Sequence, residues 1–283
     1  MKTFLLGTGC QKGGTTWLFQ YLKQSPQYVA GFRKEYHVFD ALDVPAMAYR
    51  REATLQQAEE ALARGREGGP VNAQAMMLAA MQENPAYYYD YFAGLLMTRP
   101  AGRLTADVTP SYGMLPTTRL AEIRDQLAAR GVRTVALFLM RDPVDRILSH
   151  IRMQVRETPE RFAKPPHELL LGRHWHPQYE LRTRYDRTIA ALDEVFEPQD
   201  VIFGFYEDLF SETRIREVCA TLGVDFHSPR FDERHNASPP AQSVPDETVR
   251  TVAGHYREVY EAVAGRFPDV DLPALWPSLR LLD

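Results

Sequence analysis

Three runs of continuous apolar residues, each closed by a turn signal and followed by helical spacing, organise the chain. "KTFLLGTG" (2–9) runs into a glycine-rich turn, and "TTWLFQYLKQ" (15–24) then sets Trp17, Leu18, Tyr21 and Leu22 on one side. "VRTVALFLMRDP" (132–143) is followed by helical "VDRILSHIRMQV", and "DVIFGFYEDL" (200–209) by "SETRIREVCATLG". Strands that are apolar throughout are buried on both faces. Their alternation with helices predicts an α/β fold with a P-loop-like central parallel sheet flanked by helices.

Two regions break the alternation. Residues 45–100 read as helices only: "TLQQAEEALARG", "NAQAMMLAAMQ" and "PAYYYDYFAGLLM", separated by "GREGGP" and "NP". Residues 156–178 mix proline, charge and aromatic residues without a period. Both are expected to be additions around a nucleotide-binding core within one domain spanning 1–283, with a helical insertion at about 45–100, where acceptor-specific surface is built. The tyrosines of "PAYYYDYF" either line an acceptor pocket or pack in the core.

Composition narrows the function classes. A chain of 283 residues buries about 75% of its unfolded surface. Its net charge of −4, from 33 basic and 37 acidic residues, offers no general affinity for polyanions. No nucleic-acid partner is expected, and any anion site must be local. Cys10 and Cys219 are too few for a disulfide framework and fit a reducing cytoplasm. "MKTFLLGTGC" resembles a truncated signal, but its apolar run is only Phe4–Leu6, against the ~7–15 residues of a signal core. It reads as a buried first strand. No run approaches the ~18 apolar residues of a membrane-spanning helix, so a cytoplasmic protein is expected.

"GTGCQKGGTTW" (7–17) has the glycines of a phosphate-cradling loop with its lysine displaced. In a Walker A loop the lysine directly precedes the hydroxyl residue. Here Thr15 stands in that place and Lys12 precedes the glycine pair. The backbone N–H groups of Lys12 to Thr16, and the helix beginning at Thr15, can surround an anion. Gly13 and Gly14 permit close approach. A tight turn before a capped helix would use some of the same residues.

A second constellation lies in "LFLMRDPVDRILSH". It puts Arg141 at a strand end, Pro143 at a helix start and Ser149 two turns further. Arginine supplies a planar fork for phosphate and serine a hydroxyl. If this strand neighbours the first, both residues reach the carboxyl edge where open α/β sheets bind ligands.

These motifs together resemble those of the PAPS-dependent sulfotransferases. "QKGGTTW" is similar to their 5′-phosphosulfate loop and "RDPVDRILSH" to their 3′-phosphate motif. "KEYHVFD" (34–40) and "TADVTPSYG" (105–113) resemble segments of the Golgi and heparan-sulfate-type branch, as does "FGFYEDLFSE". The resemblance runs from residue 3 to about 220, and the order and spacing of the motifs make it specific. It implies that Lys12, Gly13, Gly14, Thr15 and Thr16 hold the 5′-phosphosulfate of PAPS, and that Arg141 and Ser149 hold the 3′-phosphate. Trp17 matches a position that stacks adenine, though it also fits a core residue. Glu35 is the expected base, with His37 its rival, and Lys12 stabilises the departing phosphate. Lys34, His37 and Tyr112 are expected to bind the acceptor. Two departures are visible: Asp107-Val108 lacks the branch's lysine before Thr-Pro, and the cytosolic branch's C-terminal Arg-Lys-Gly is missing. Arg234 or His235 in "FDERHNASPP" stands where a closing loop would cover the 3′-phosphate.

The resulting expectation is sulfuryl transfer from PAPS, with PAP as product and no metal, to a hydroxyl or amine of a small-molecule, lipid or glycan acceptor. Acceptor identity and oligomeric state are left open. A nucleotide or small-molecule kinase on the same loop is the alternative, and Thr15 in the Walker lysine's place speaks against it. An anion-binding protein on a retired scaffold is a third, opposed by the joint presence of Lys12, Glu35, Arg141 and Ser149. The histidines of "RHWHP" (His174, His176) have no accompanying ligand cluster.

Overall fold

The computed structural model describes residues 1–232 and 244–282. Strands β1 (Lys2–Gly9), β2 (Leu104–Val108), β3 (Val132–Met140) and β4 (Val201–Phe205) form a parallel sheet in the order β2-β1-β3-β4. The two-residue period sorts its side chains into two cores. Phe4, Leu6, Ala136, Phe138 and Met140 enter one cluster, while Leu5, Val135, Leu137 and Leu139 enter the other. Both faces are therefore covered by helices, as the apolar runs require. The protein has the expected α/β architecture.

Strand β2 is the element that the apolar pattern passes over. It is five residues long, and Thr105 and Asp107 interrupt its hydrophobicity although all five are buried. Asp107 is tolerated because its carboxylate accepts from Tyr88 Oη at 2.9 Å, from Thr109 Oγ1, and from the Tyr36 N–H at 3.3 Å. Burial nevertheless pushes its pKa up to about 6. The same bonds tie the 34–37 segment to the end of β2, and the Val108 N–H donates to the Lys34 carbonyl at 2.9 Å.

Residues 45–100 are helical as expected, with helices Tyr49–Arg66, Ala73–Glu83 and Ala86–Met97. The last is not an excursion from the core. Its Phe92 and Tyr88 pack edge-on against Phe4 of β1 at centroid distances of 4.7 and 6.1 Å. The tyrosines of "PAYYYDYF" thus resolve as core: Tyr88 and Tyr89 are buried and Tyr87 points to solvent. The 156–178 region forms short helices at Pro166–Arg173 and Pro177–Glu180, each begun by proline, whose missing N–H costs nothing in a first turn.

The chain leaves β1 for β2 on one side and returns across it to β3 on the other. The crevice at the carboxyl ends of β1 and β3 is therefore a topological switch point, where ligands of open α/β sheets bind. Among the described residues, no helix is long and apolar enough to cross a membrane.

Candidate active site

A cavity of about 850 Å³ opens at that switch point. It is lined by Lys12, Gly14, Thr15, Thr16 and Trp17 after β1, by Lys34, Glu35 and His37, and by Arg141 and Ser149 after β3. Segments separated by over a hundred residues thus meet at one sheet edge.

The loop after β1 is shaped for close approach. A side chain on Gly13 would meet the Leu139 carbonyl oxygen at 2.7 Å and Cys10 Sγ at 2.8 Å, so Gly13 stands behind the cavity wall. Gly14 has φ +87°, and a Cβ there would lie 2.7 Å from Leu209 Cδ2. The helix Thr15–Lys23 that follows has no side-chain cap and no acidic residue in its first turn. Its leading N–H groups, with the positive end of the helix dipole, face the cavity. Lys12 adopts φ 72°, an unfavourable conformation for a residue with a side chain. Among the described residues its Nζ finds only Met153 Sδ, at 3.9 Å. Burial, then the nearby Arg156 and Arg141 charges, lower its pKa. An anion would offset the last two of these penalties.

The β3 side of the cavity carries Arg141, Ser149 and Arg152. Arg141 lies over the Tyr206 ring at 4.3 Å and donates from Nη1 to the Lys12 carbonyl at 3.2 Å, while its Nε is buried with no hydrogen-bond partner among the described residues. Asp142 caps the helix Pro143–Glu157 by accepting from the Val144 N–H at 3.0 Å. That cap sets the helix so that Ser149 and Arg152, three residues apart, line one face of the cavity.

The third wall is the 34–37 segment. Lys34 Nζ bridges Thr16 Oγ1 at 3.1 Å and Glu35 Oε1 at 2.8 Å. His37, at φ 53°, is held by its neighbours: Gln82 Nε2 donates to its carbonyl at 3.0 Å, and its Nδ1 lies 2.7 Å from Oδ2 of fully buried Asp40. Its Nε2 lies 3.4 Å from Glu35 Oε2. Burial alone would raise the Glu35 pKa, but the His37 hydrogen bond and the Lys34 charge outweigh it and pull it down to about 2. For His37 burial works downward, and the bonds to Asp40 and Glu35 overcome it to raise the pKa.

Tyr112 departs from expectation. It is fully buried, and its Oη accepts from the Val38 N–H at 3.1 Å, so it braces the 34–40 segment from behind and cannot touch an acceptor. Its neighbours Pro110 and Ser111 line the cavity instead. Trp17 does line the cavity but is itself well packed, stacked on Phe231 at 5.6 Å and met edge-on by Phe210 at 5.2 Å. Arg234 and His235 lie outside the described residues.

Sequence reasoning missed several lining residues: Arg50, Arg152, Arg182, Tyr206 and Glu207. Arg152 was findable, one helical turn after Ser149, and Tyr206-Glu207 follow directly on β4. Arg50 and Arg182 come from remote segments and carry no local signal. With them, six cationic side chains and two carboxylates face the cavity, in a chain of net charge −4. Positive charge is thus concentrated at this cavity although the chain as a whole is acidic. Among the described residues, no group of three His, Cys, Asp or Glu side chains is arranged to hold a metal.

The family model described as "Sulfotransferase family" matches residues 5–228, most of the chain. The chain belongs to the sulfotransferase family. Its fold is similar to the crystal structure of a sulfotransferase from Alicyclobacillus acidocaldarius, at TM-score 0.60 and 18% identity, over 94% of this chain and 95% of that one. The sulfotransferase domain from the curacin biosynthetic pathway is also similar, at TM-score 0.47 and 15% identity, over 85% of this chain and 81% of that one. That of the Synechococcus PCC 7002 olefin synthase gives TM-score 0.47 and 16% identity, over 90% and 94%. No curated protein matches. This sulfotransferase is thus a transferase by family, on a fold shared with the Alicyclobacillus acidocaldarius protein.

Proposed function

We propose that this sulfotransferase moves a sulfuryl group from PAPS to a hydroxyl or amine of a small-molecule, lipid or glycan acceptor, within a single domain. The observation that carries the reading is the pairing of two anion pockets in one cavity. The uncapped helix at Thr15 with Lys12 forms one, and Arg141 with Ser149 forms the other. PAPS has a 5′-phosphosulfate and a separate 3′-phosphate, and the unpartnered Arg141 Nε and the Gly13–Gly14 cradle fit it. Arg152 joins the 3′-phosphate pocket, and Trp17, Phe210 and Tyr206 offer aromatic surface for adenine.

When bound, PAPS would supply an activated sulfuryl group on a phosphate leaving group. His37 Nε2 would take the acceptor's proton as its oxygen bonds to sulfur. Lys12 and the first-turn N–H groups would hold the charge left on the 5′-phosphate as its bond to sulfur breaks. The geometry favours His37 over Glu35 as base. A carboxylate already paired with Lys34 and His37, with its pKa near 2, has little affinity for a proton. Glu35 would instead steady His37 and Lys34, and Lys34 would sit beside the transferring group through Thr16.

Melting measurements with PAP, without metal, test the donor site. Stabilisation should follow mass action, about 2.7 kcal/mol at a hundredfold excess over Kd. A shift with ATP–Mg²⁺ and none with PAP would favour the kinase reading.

A further inference from the structure

The donor pockets use Lys12, Arg141, Ser149 and Arg152, which leaves two cavity-lining guanidinium groups unexplained. Arg50 begins the helix Tyr49–Arg66, and Arg182 lies in the turn before the helix Tyr185–Val195. Among the described residues, neither has a carboxylate within ion-pair distance, in contrast to the part-buried Arg119 and Arg133, which are paired with Asp43 and Asp200. Arg182 Nη1 donates to the Gln178 carbonyl at 2.8 Å, and its Nη2 reaches only Met47 Sδ at 3.1 Å. The Nε of Arg50 is buried with no partner.

The surroundings make this costly. Arg146 is fully buried, and among the described residues its Nε and Nη1 have no partner while Nη2 donates to the Tyr179 carbonyl at 2.9 Å. Burial together with the Arg146, Arg182 and Lys12 charges forces the His150 pKa down to about 2, so that ring is neutral and adds nothing to the repulsion. Arg182 is itself shifted down by burial and by the Arg146 and Arg50 charges. Asp40 is the carboxylate whose charge opposes this shift, and its Oδ2 is engaged by His37 and Ser111. Cations gathered in a cavity wall without counter-ions lose hydration and repel one another, and an anionic ligand offsets both terms.

We infer that Arg50 and Arg182 form an acceptor subsite for an acidic group, so that the acceptor is a hydroxyl or amine compound bearing its own carboxylate or phosphate. This rests on the sulfotransferase reading above and narrows its acceptor class. The subsite lies on the His37 side of the cavity: the Arg50 charge reaches the His37 ring. An acceptor anchored there by its acid presents its nucleophile beside the proposed base. A neutral acceptor of the same shape leaves both guanidinium groups unpaired, so discrimination should be strong.

The test uses the intact protein saturated with PAP, titrated calorimetrically with inorganic phosphate and, in a separate arm, with acetate. Binding of at least one anion is expected, weakened about tenfold or more in Arg50→Ala and in Arg182→Ala, with PAP affinity changed less than about threefold; the preferred anion tells phosphate from carboxylate. Arg182→Lys, which keeps the charge and loses the fork, should fall between, and it serves if Arg182→Ala does not fold. Absence of binding by both anions, or binding indifferent to both arginines, overturns the subsite. Failure of the wild-type protein to bind PAP, with phosphate binding still dependent on Arg50 and Arg182, would sink the donor reading and leave the subsite standing.

Discussion

Asp40, without exposed surface, holds Nδ1 of His37 at 2.7 Å and so directs the other ring nitrogen toward the cavity and Glu35. In the proposed reaction this pair is the base: the buried carboxylate selects the tautomer and raises the ring's proton affinity. His37→Ala should lower turnover by about 10²–10⁴, and Glu35→Gln by less than about 10². Because the folded pKa of His37 lies above its ordinary 6.5, the rate should climb with pH through a midpoint above that value. Asp40→Asn should move the midpoint down. A pH–rate profile flat above pH 5, with the large loss at Glu35→Gln, returns the role to Glu35.

Lys12 has no carboxylate partner and faces the expected leaving group. Lys12→Ala should cut turnover by about 10² to 10³, the range for losing one donor to developing charge. Single-turnover kinetics checks that the loss falls on the chemical step.

Arg141, Ser149 and Arg152 would touch a phosphate that does not react. Alanine at each should raise KM for PAPS with turnover at saturation largely kept, since ground and transition states lose the same contact. Steady-state kinetics with varied PAPS separates this from a loss of turnover at unchanged KM, which would remove these residues from the 3′-phosphate.

A Cβ at position 13 would meet backbone oxygen at 2.7 Å, an atom that cannot swing aside. Gly13→Ala should cost about 1–3 kcal/mol of stability, and displacement of the loop should weaken PAP binding. Denaturant melts with and without PAP read both effects.

Glu207 lines the cavity beside Arg141, and burial pushes its pKa up to about 7 from 4.5. The folded form then keeps a proton that the unfolded chain releases between these values. Stability from this group is therefore present below about pH 4.5 and is lost as pH rises toward 7. Asp107, raised to about 6, acts in the same direction. Melting curves from pH 5 to 8 should show falling stability, and Glu207→Gln should flatten the fall by about 1–3 kcal/mol.

Strands β1, β3 and β4, the helices after them, and the cavity-lining residues Lys12, Gly14, Thr15, Thr16, Arg141 and Ser149 were legible in the sequence alone. Each rests on short-range chemistry: an apolar run long enough to be a buried strand, a glycine pair that admits the backbone to an anion, an Arg-Asp-Pro that ends a strand and starts a helix. Tertiary structure decided the rest. Strand β2 is half polar, and only the bonds of Tyr88, Thr109 and Tyr36 to Asp107 make its burial tolerable. Tyr112 looked like an acceptor contact from its neighbours in sequence, yet the turn at 110–114 aims it into the core and leaves Ser111 on the wall. The proton affinities of Glu35 and His37 depend on Lys34 and on buried Asp40, through distances that no spacing encodes. Arg50 and Arg182 stand 132 positions apart in the chain and meet only because the helix that carries one and the turn that carries the other line the same cavity. Local pattern sets which segments form; the field at a site is the sum over every segment that folding brings there.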